Sequence, residues 1–169
     1  DGTVNPPRCG NHHALLAPLG IFHCHGHYVV IVAIGKQWEN LLKLIKREDM
    51  LTDPRFVDLL ARGENQQEII EAIESWLAST PDLDNALEQL QQSHVPCAPV
   101  LSIPEILEHP HMQARGIVQT VDDKSYGSVK IPASPFKYSL FPEPLDLQAG
   151  ALGEHNHDIL SKHLNYSAA

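Results

Sequence analysis

Three histidines and a cysteine occur within the six residues FHCHGH. Imidazole is a good ligand for zinc and nickel, and on a flat strand His23, His25 and His27 would all face one side. Gly26, however, predicts a turn, which would send the three side chains in different directions. No CxxC spacing nearby completes a structural zinc site. We therefore interpret the cluster as the tip of a hairpin and predict no metal site.

The other histidines and cysteines are weaker candidates for chemistry. His12 and His13 follow Cys9 closely, but a nucleophilic Cys–His pair needs spatial contact and an orienting third group. Adjacent residues rarely supply that geometry, so we predict no catalytic residue here. Helix ends, a turn around proline and an exposed helix face explain the remaining histidines: His94, His109, His111, His155, His157 and His163.

The acidic residues and the short motifs indicate no active site either. Asp122-Asp123 is typical of a turn after a strand, and Glu68, Glu71 and Glu74 are typical of the solvated side of a helix. No GxSxG, P-loop, GxGxxG or HExxH motif occurs. The motifs alone therefore predict a folded domain and indicate no particular reaction.

Composition excludes several classes of protein. The chain has 169 residues and a formal net charge of −9, which argues against nucleic-acid binding because phosphates require a basic face. No run of about 18 apolar residues occurs, so we expect no membrane span. The first residues show no basic start followed by an apolar core, so we expect no signal peptide. Three widely spaced cysteines favour reduced thiols and a cytoplasmic location.

The elements that must position these residues are short helices and strands. GIFHC and HYVVIVAI flank His25-Gly26 and predict a hairpin. KQWENLLKLIKR predicts an amphipathic helix, and a longer helix is expected over about 65–78. Asp53-Pro54 and Thr80-Pro81-Asp82 resemble helix starts, and Ser102 with Glu105 has capping-box spacing.

The C-terminal part follows a different pattern. GIVQTVDD and SVKIP predict two strands, the proline-rich tract 132–144 predicts an extended segment, and GEHNHDILSKHL predicts a final helix. Together these elements predict an α+β fold with a small antiparallel sheet and four or five helices.

A series of segments, in this order, resembles a known family. They are RCGNHHALLAP, the hairpin with YVVI, QWENLLKLI, DPRF, ARGENQQEI, VPCAPVLSIPEILEHPHMQARG, PASPFKYS and LGEHNHDIL. Each motif is weak by itself, but their order over about 7–164 resembles the family III CoA-transferases, the CaiB/BaiF group. The matched segments all resemble the small α+β domain of that family and the stretch that leads back from it.

The resemblance carries expectations about activity. Family members move coenzyme A between acyl thioesters and carboxylic acids, and some relatives are acyl-CoA racemases or act in carnitine metabolism. An aspartate of the large domain forms an acyl anhydride, and two chains interlock as a homodimer. That aspartate would lie upstream of this chain, so the resemblance implies that no catalytic residue is present here. The chain alone is expected to be inactive.

The resemblance also predicts where substrate lies. The loop after Gly10-Asn11 faces the active site in the family, and in formyl-CoA transferase-like members it is a glycine-rich mobile cover. Here the loop reads HHALLAP without glycine, so a freely swinging lid is not expected, and its leucines are expected to form an apolar wall. The predicted substrate-binding residues are Gly10, Asn11, His12, His13, Leu15, Leu16 and Pro18.

These expectations combine into one function hypothesis. The predicted organisation is a linker and active-site loop over 1–20, a small domain over 21–140, and a return segment with a C-terminal helix over 141–169. The predicted activity is coenzyme A transfer to a carnitine-type or related acid, with acyl-CoA as substrate and no cofactor. No nucleic-acid or membrane partner is expected. The alternatives are a stand-alone binding module and an acyl-CoA racemase relative.

Overall fold

The computed structural model describes residues 8–140 and 148–166 of the chain. Two compact units divide between Val100 and Leu101. Within the described residues both units combine helices with antiparallel strands, which confirms the α+β class. None of the helices in those ranges has the length and apolar content that a bilayer span requires. The domain boundaries expected at 20–21 and 140–141 remain a prediction.

The first unit contains a three-stranded antiparallel sheet in the order β1-β2-β3. Its strands are β1 Leu19–Cys24, β2 His27–Val32 and β3 Cys97–Pro99. Phe22 pairs with Val29 across β1 and β2, and both side chains are fully buried. Because side chains alternate along a strand, this register sends one row of each strand into the core.

The hairpin between β1 and β2 turns at His25 and Gly26, as the sequence predicts. Both residues have positive φ angles, 50° and 79°, and Cys24 pairs with His27 across the turn. Two consecutive left-handed residues are the requirement of the type I′ turn, whose twist matches that of the strands. The cluster FHCHGH is therefore a hairpin tip.

Four helices and two short 3₁₀ turns complete the described part of the first unit. The helices are α1 Lys36–Leu44, α2 Leu59–Glu64, α3 Gln66–Ser79 and α4 Leu83–Gln92, and the 3₁₀ turns are Glu48–Leu51 and Pro54–Phe56. The expected helices at 65–78 and after Thr80 are confirmed. The Asp82 side chain accepts a hydrogen bond from the Asn85 N–H (2.8 Å) and caps α4.

The helix start expected at Asp53-Pro54 leads only to a 3₁₀ turn. The α-helix α2 begins later, where the Asp58 carboxylate accepts hydrogen bonds from the Leu60 and Ala61 N–H groups, both at 2.9 Å. These bonds satisfy backbone donors that have no partner within the first helical turn. The six residues of α2 are too few to show a helical period, so the sequence does not predict this helix.

The core of the first unit forms between the sheet and the apolar faces of the helices. The largest fully buried side chains in this unit are Phe22, Phe56, Ile31, Leu41, Leu42, Met50, Ile69, Ile73, Leu77, Leu90, Val29 and Val95. Burial of a leucine, isoleucine or phenylalanine side chain contributes about 1.5–3 kcal/mol. The core therefore forms a rigid support for β1 and for the loop that precedes it, residues 10–18.

The second unit contains a two-stranded antiparallel sheet and three helices among its described residues. Its elements are α5 Ile103–Glu108, α6 Pro110–Ala114, β4 Val118–Asp123, β5 Gly127–Pro132 and α7 Asn156–Leu164. The capping box at Ser102 and Glu105, both strands and the final helix confirm the sequence predictions. Residues 133–140 contain no helix, and 141–144 of the tract expected to be extended lie outside the described residues.

Candidate functional site

The loop that precedes β1 folds back along that strand. The Ile21 N–H donates to the Asn11 carbonyl oxygen and the His13 N–H donates to the Leu19 carbonyl oxygen, both at 2.9 Å. His12 lies opposite Gly20 in an isolated antiparallel bridge. The first half of the loop is thus held as a short extension of the sheet.

Gly20 allows this close approach. A Cβ atom there would lie 2.9 Å from the Asn11 carbonyl oxygen and closer still to the His12 ring. Backbone atoms cannot move away as a flexible side chain can, so a larger residue would separate the loop from β1. In the sequence, Gly20 is recognisable only as part of the strand GIFHC.

The second half of the loop is held by its own histidine. His13 Nδ1 accepts hydrogen bonds from the backbone N–H groups of Leu15 and Leu16, each at 3.1 Å. A ring nitrogen that accepts two backbone donors performs the role that a short polar side chain performs in a turn. The two hydrogen bonds to His13 Nδ1 therefore stabilise the conformation of the loop.

Helix α2 contacts the same loop from the other side. A Cβ atom at Gly63 would lie 2.7 Å from the Leu15 carbonyl carbon and closer still to its oxygen. The buried Gly63 therefore lets the α2 backbone rest directly on the Leu15 backbone. The sequence contains this glycine in the segment ARGENQQEI, but nothing local indicates its distant partner.

The residue before Gly63 is a buried arginine. Arg62 is 7% exposed, and its guanidinium carbon lies 4.9 Å from the ring centroid of Trp38 in α1. Arg62 Nε donates to the Asp58 carbonyl oxygen (3.1 Å), but Nη1 is buried and meets no hydrogen-bond partner among the described residues. Burial lowers the pKa of Arg62, and the Asp58 charge opposes that effect.

His12 packs against the core below the loop. Its ring meets Phe22 edge-on, with 4.9 Å between ring centroids. Burial lowers the pKa of His12 below its ordinary value of 6.5, and the negative charge of Glu74 partly offsets this shift. Glu74 also accepts a hydrogen bond from the His23 N–H (3.1 Å), so it is not simply a solvated residue as the sequence suggests.

The lowered pKa of His12 predicts an acid-sensitive stability. The unfolded chain binds this proton more tightly than the folded chain, so the contribution is complete above pH 6.5 and is lost as pH falls through the lower folded value. We expect His12→Phe, which keeps a ring against Phe22, to reduce the loss of unfolding free energy between about pH 7.5 and about pH 5. Urea unfolding at both pH values measures this loss.

The control for this prediction is the exposed His27, at the start of β2. His27→Phe should leave the difference between the two pH values close to that of the wild type. If both substitutions change the difference equally, the burial of His12 is not the cause of the acid sensitivity.

The predicted substrate-binding residues differ in their exposure. Leu15 is 62% exposed, and Gly10, Asn11 and His13 are also exposed. His12 and Leu16 are half-buried. Pro18 is buried, and its carbonyl oxygen accepts a hydrogen bond from the Ala33 N–H (3.0 Å). The structure thus brings these residues into one loop, and Leu15 is the apolar side chain of that loop most open to solvent.

The histidines of the hairpin tip point to different neighbours. His23 packs edge-on against Tyr28 with 5.6 Å between ring centroids, whereas His25 Nε2 lies 3.4 Å from the Thr80 hydroxyl. Across the described ranges, no group of three histidine, cysteine or acidic side chains is placed to hold a metal ion. None of the three cysteines is disulfide-bonded. His23 and His25 therefore contact neighbouring side chains of the fold, and they do not converge on one point.

A cavity of about 320 Å³ lies elsewhere on the first unit and contains none of the predicted site residues. It is lined by Ile45, Arg47, Glu68, Glu71, Ala72 and Ser75. Arg47 pairs with Glu68 at 3.2 Å and with Asp49 at 2.9 Å, and Arg55 also pairs with Glu68. Glu68 is thus half-buried and paired, not simply solvated as expected. These mutual pairings leave the cavity with few charges to offer a ligand.

The fold is similar to that of solved structures of larger proteins. It matches the crystal structure of Rv3272 from M. tuberculosis with a TM-score of 0.65 at 24% identity, over 84% of this chain and 40% of that one. It matches a CaiB/BaiF family protein from Brucella suis with a TM-score of 0.64 at 24% identity, over 95% of this chain and 41% of that one. The class of fold is therefore that of one part of these proteins.

Sequence comparison identifies the family. Residues 1–156 match the model of CoA-transferase family III, so the chain belongs to this family. It is 32% identical over 168 residues to a formyl-CoA:oxalate CoA-transferase of Bradyrhizobium diazoefficiens and 33% identical over 167 residues to one of Escherichia coli O157:H7. Each alignment covers 95% of this chain and 39% of the relative. The chain thus spans about two fifths of the length of these relatives.

Proposed function

We propose that the chain is the small-domain portion of an enzyme that moves coenzyme A between an acyl-CoA thioester and a carboxylic acid. The observation that carries this proposal is the family match over residues 1–156, which includes the whole loop from Gly10 to Pro18. In this proposal the loop closes one side of the acyl site. A carnitine-type or related acid as acceptor, and an interlocked homodimer, are part of the proposal.

The nucleophilic carboxylate of the proposed reaction belongs to another part of the enzyme. In the first unit, Asp53, Asp58 and Asp82 each accept hydrogen bonds from backbone N–H groups at the start of a helix or turn. Asp49 is paired with Arg47. A nucleophile needs an accessible carboxylate beside the thioester. These four aspartates have structural roles, and the proposal assigns the nucleophile to a larger domain because the family resemblance does.

The test is to express the complete reading frame that contains this chain and to supply it with acyl-CoA and a second carboxylic acid. Mass spectrometry should detect coenzyme A on the second acid, with release of the first acid in equal amount. Hydrolysis without transfer, or no reaction with any pair of acids, would contradict the proposed function. The 169-residue chain alone serves as the control and should show no transfer.

A further inference from the structure

The loop offers a substrate little positive charge. Residues 10–18 contain no lysine or arginine. His13 Nδ1 accepts from two backbone N–H groups, and the ring of His12 packs against Phe22. Arg62, next to Gly63, is buried against Trp38, and Arg8 is exposed but precedes the loop. The loop therefore offers a substrate no lysine or arginine side chain of its own.

Two exposed leucines lie beside this loop. Leu15 is 62% exposed, and its backbone rests on Gly63 of α2. Leu60 lies one helical turn before Gly63 and is 65% exposed. Residues three apart on a helix share a face, so the two leucines flank the same loop–helix contact. We call these two exposed side chains, Leu15 and Leu60, the leucine pair.

The chemistry of this surface discriminates between acyl groups. A second carboxylate placed against it would lose water and gain no counter-charge, which is costly. Each methylene placed against it would leave water, which favours binding of a longer chain. The exposed Leu15 is therefore suited to a hydrocarbon chain and unsuited to oxalate, the acid for which the similar formyl-CoA:oxalate CoA-transferases are named.

We propose that the acid whose acyl group faces the leucine pair is a monocarboxylic acid with an apolar chain. This inference rests on the proposed function and deepens it, because among the carnitine-type or related acids proposed above it selects those with an uncharged, apolar chain. Leu15 acts as a specificity-determining residue. The coenzyme A transfer itself is unchanged: the C–S bond of the donor breaks and a C–S bond forms to the carboxyl carbon of the acceptor. One oxygen of the acceptor carboxylate passes to the donor acyl group, which leaves as a carboxylate.

The experiment compares acceptor acids with the complete enzyme. With one acyl-CoA donor, kcat/KM is measured for acetate, butyrate, hexanoate, oxalate and γ-butyrobetaine. We expect kcat/KM to rise about threefold for each methylene added from acetate to hexanoate, and hexanoate to exceed oxalate at least about tenfold. A preference for oxalate or for γ-butyrobetaine, with transfer intact, would overturn this inference and leave the proposed function standing. Absence of transfer to every acid would overturn both.

Variants locate the selectivity in the loop. Leu15→Arg supplies the missing counter-charge and should lower the hexanoate-to-oxalate ratio of kcat/KM by about tenfold or more. This ratio is insensitive to partial misfolding, which lowers both values together. Leu152→Arg, at a fully exposed leucine, and Arg8→Gln, at the exposed arginine before the loop, should leave the ratio within about twofold of wild type. An unchanged ratio in Leu15→Arg would overturn the role of Leu15.

Discussion

Replacing Gly63 with alanine is expected to lower the free energy of unfolding by about 3 kcal/mol. Helix propensity alone predicts the opposite sign, because alanine is favoured over glycine by about 1 kcal/mol inside a helix. The added Cβ, however, would lie 2.7 Å from the Leu15 carbonyl carbon, and neither backbone can yield as a side chain can. The clash outweighs the propensity, and either α2 or the loop must move.

Urea unfolding of the wild type and Gly63→Ala measures this effect. Gly26→Ala is the matched control in the same unit, because a Cβ at Gly26 meets no atom within 4 Å and the cost is confined to its φ of 79°. That cost is about 1 kcal/mol. A Gly63→Ala variant more stable than the wild type would show that α2 does not rest on the loop.

The elements that the sequence predicts correctly carry their own local signals. The turn at His25-Gly26 needs two left-handed residues, and glycine supplies one of them at no steric cost. The capping box at Ser102 and Glu105 needs only two side chains three residues apart. Helix α3 has fourteen residues, long enough for its apolar side chains to repeat at helical spacing. Such features are visible in any window that contains them.

The features that anchor the loop have no local signal. Gly63 and Leu15, like Arg62 and Trp38, meet only because several elements fold between them. His13 resembles any exposed histidine until its Nδ1 is seen to accept from Leu15 and Leu16. Resemblance to a family predicts that the loop lies near substrate, but only tertiary contacts indicate which of its side chains are exposed. Of the two leucines predicted to form an apolar wall, Leu15 is exposed and Leu16 is half-buried, so Leu15 is the better candidate for contact with a substrate.

Arg62 provides the second large effect, as a contrast between two substitutions. Arg62→Ala removes the packing on Trp38 and leaves a void beside it, so the free energy of unfolding is expected to fall by about 2–3 kcal/mol. Arg62→Met fills a similar volume without a charge. Since Nη1 is buried without a hydrogen-bond partner among the described residues, the charge costs desolvation that it does not recover. Arg62→Met should therefore lie within about 1 kcal/mol of wild type, or be more stable.

The contrast separates shape from charge at this position. If Arg62→Met is as destabilising as Arg62→Ala, the guanidinium must gain more from its bond to the Asp58 carbonyl and from the Trp38 ring than burial costs it. Lys43→Met is the control for loss of a positive charge alone, because Lys43 is exposed on α1, and it should change stability by less than about 0.5 kcal/mol. A buried arginine retained chiefly for its shape would hold Trp38 and α2 in the positions that let Gly63 support Leu15. The position of Leu15 and Leu60 would then depend on packing and not on charge, and packing is insensitive to salt.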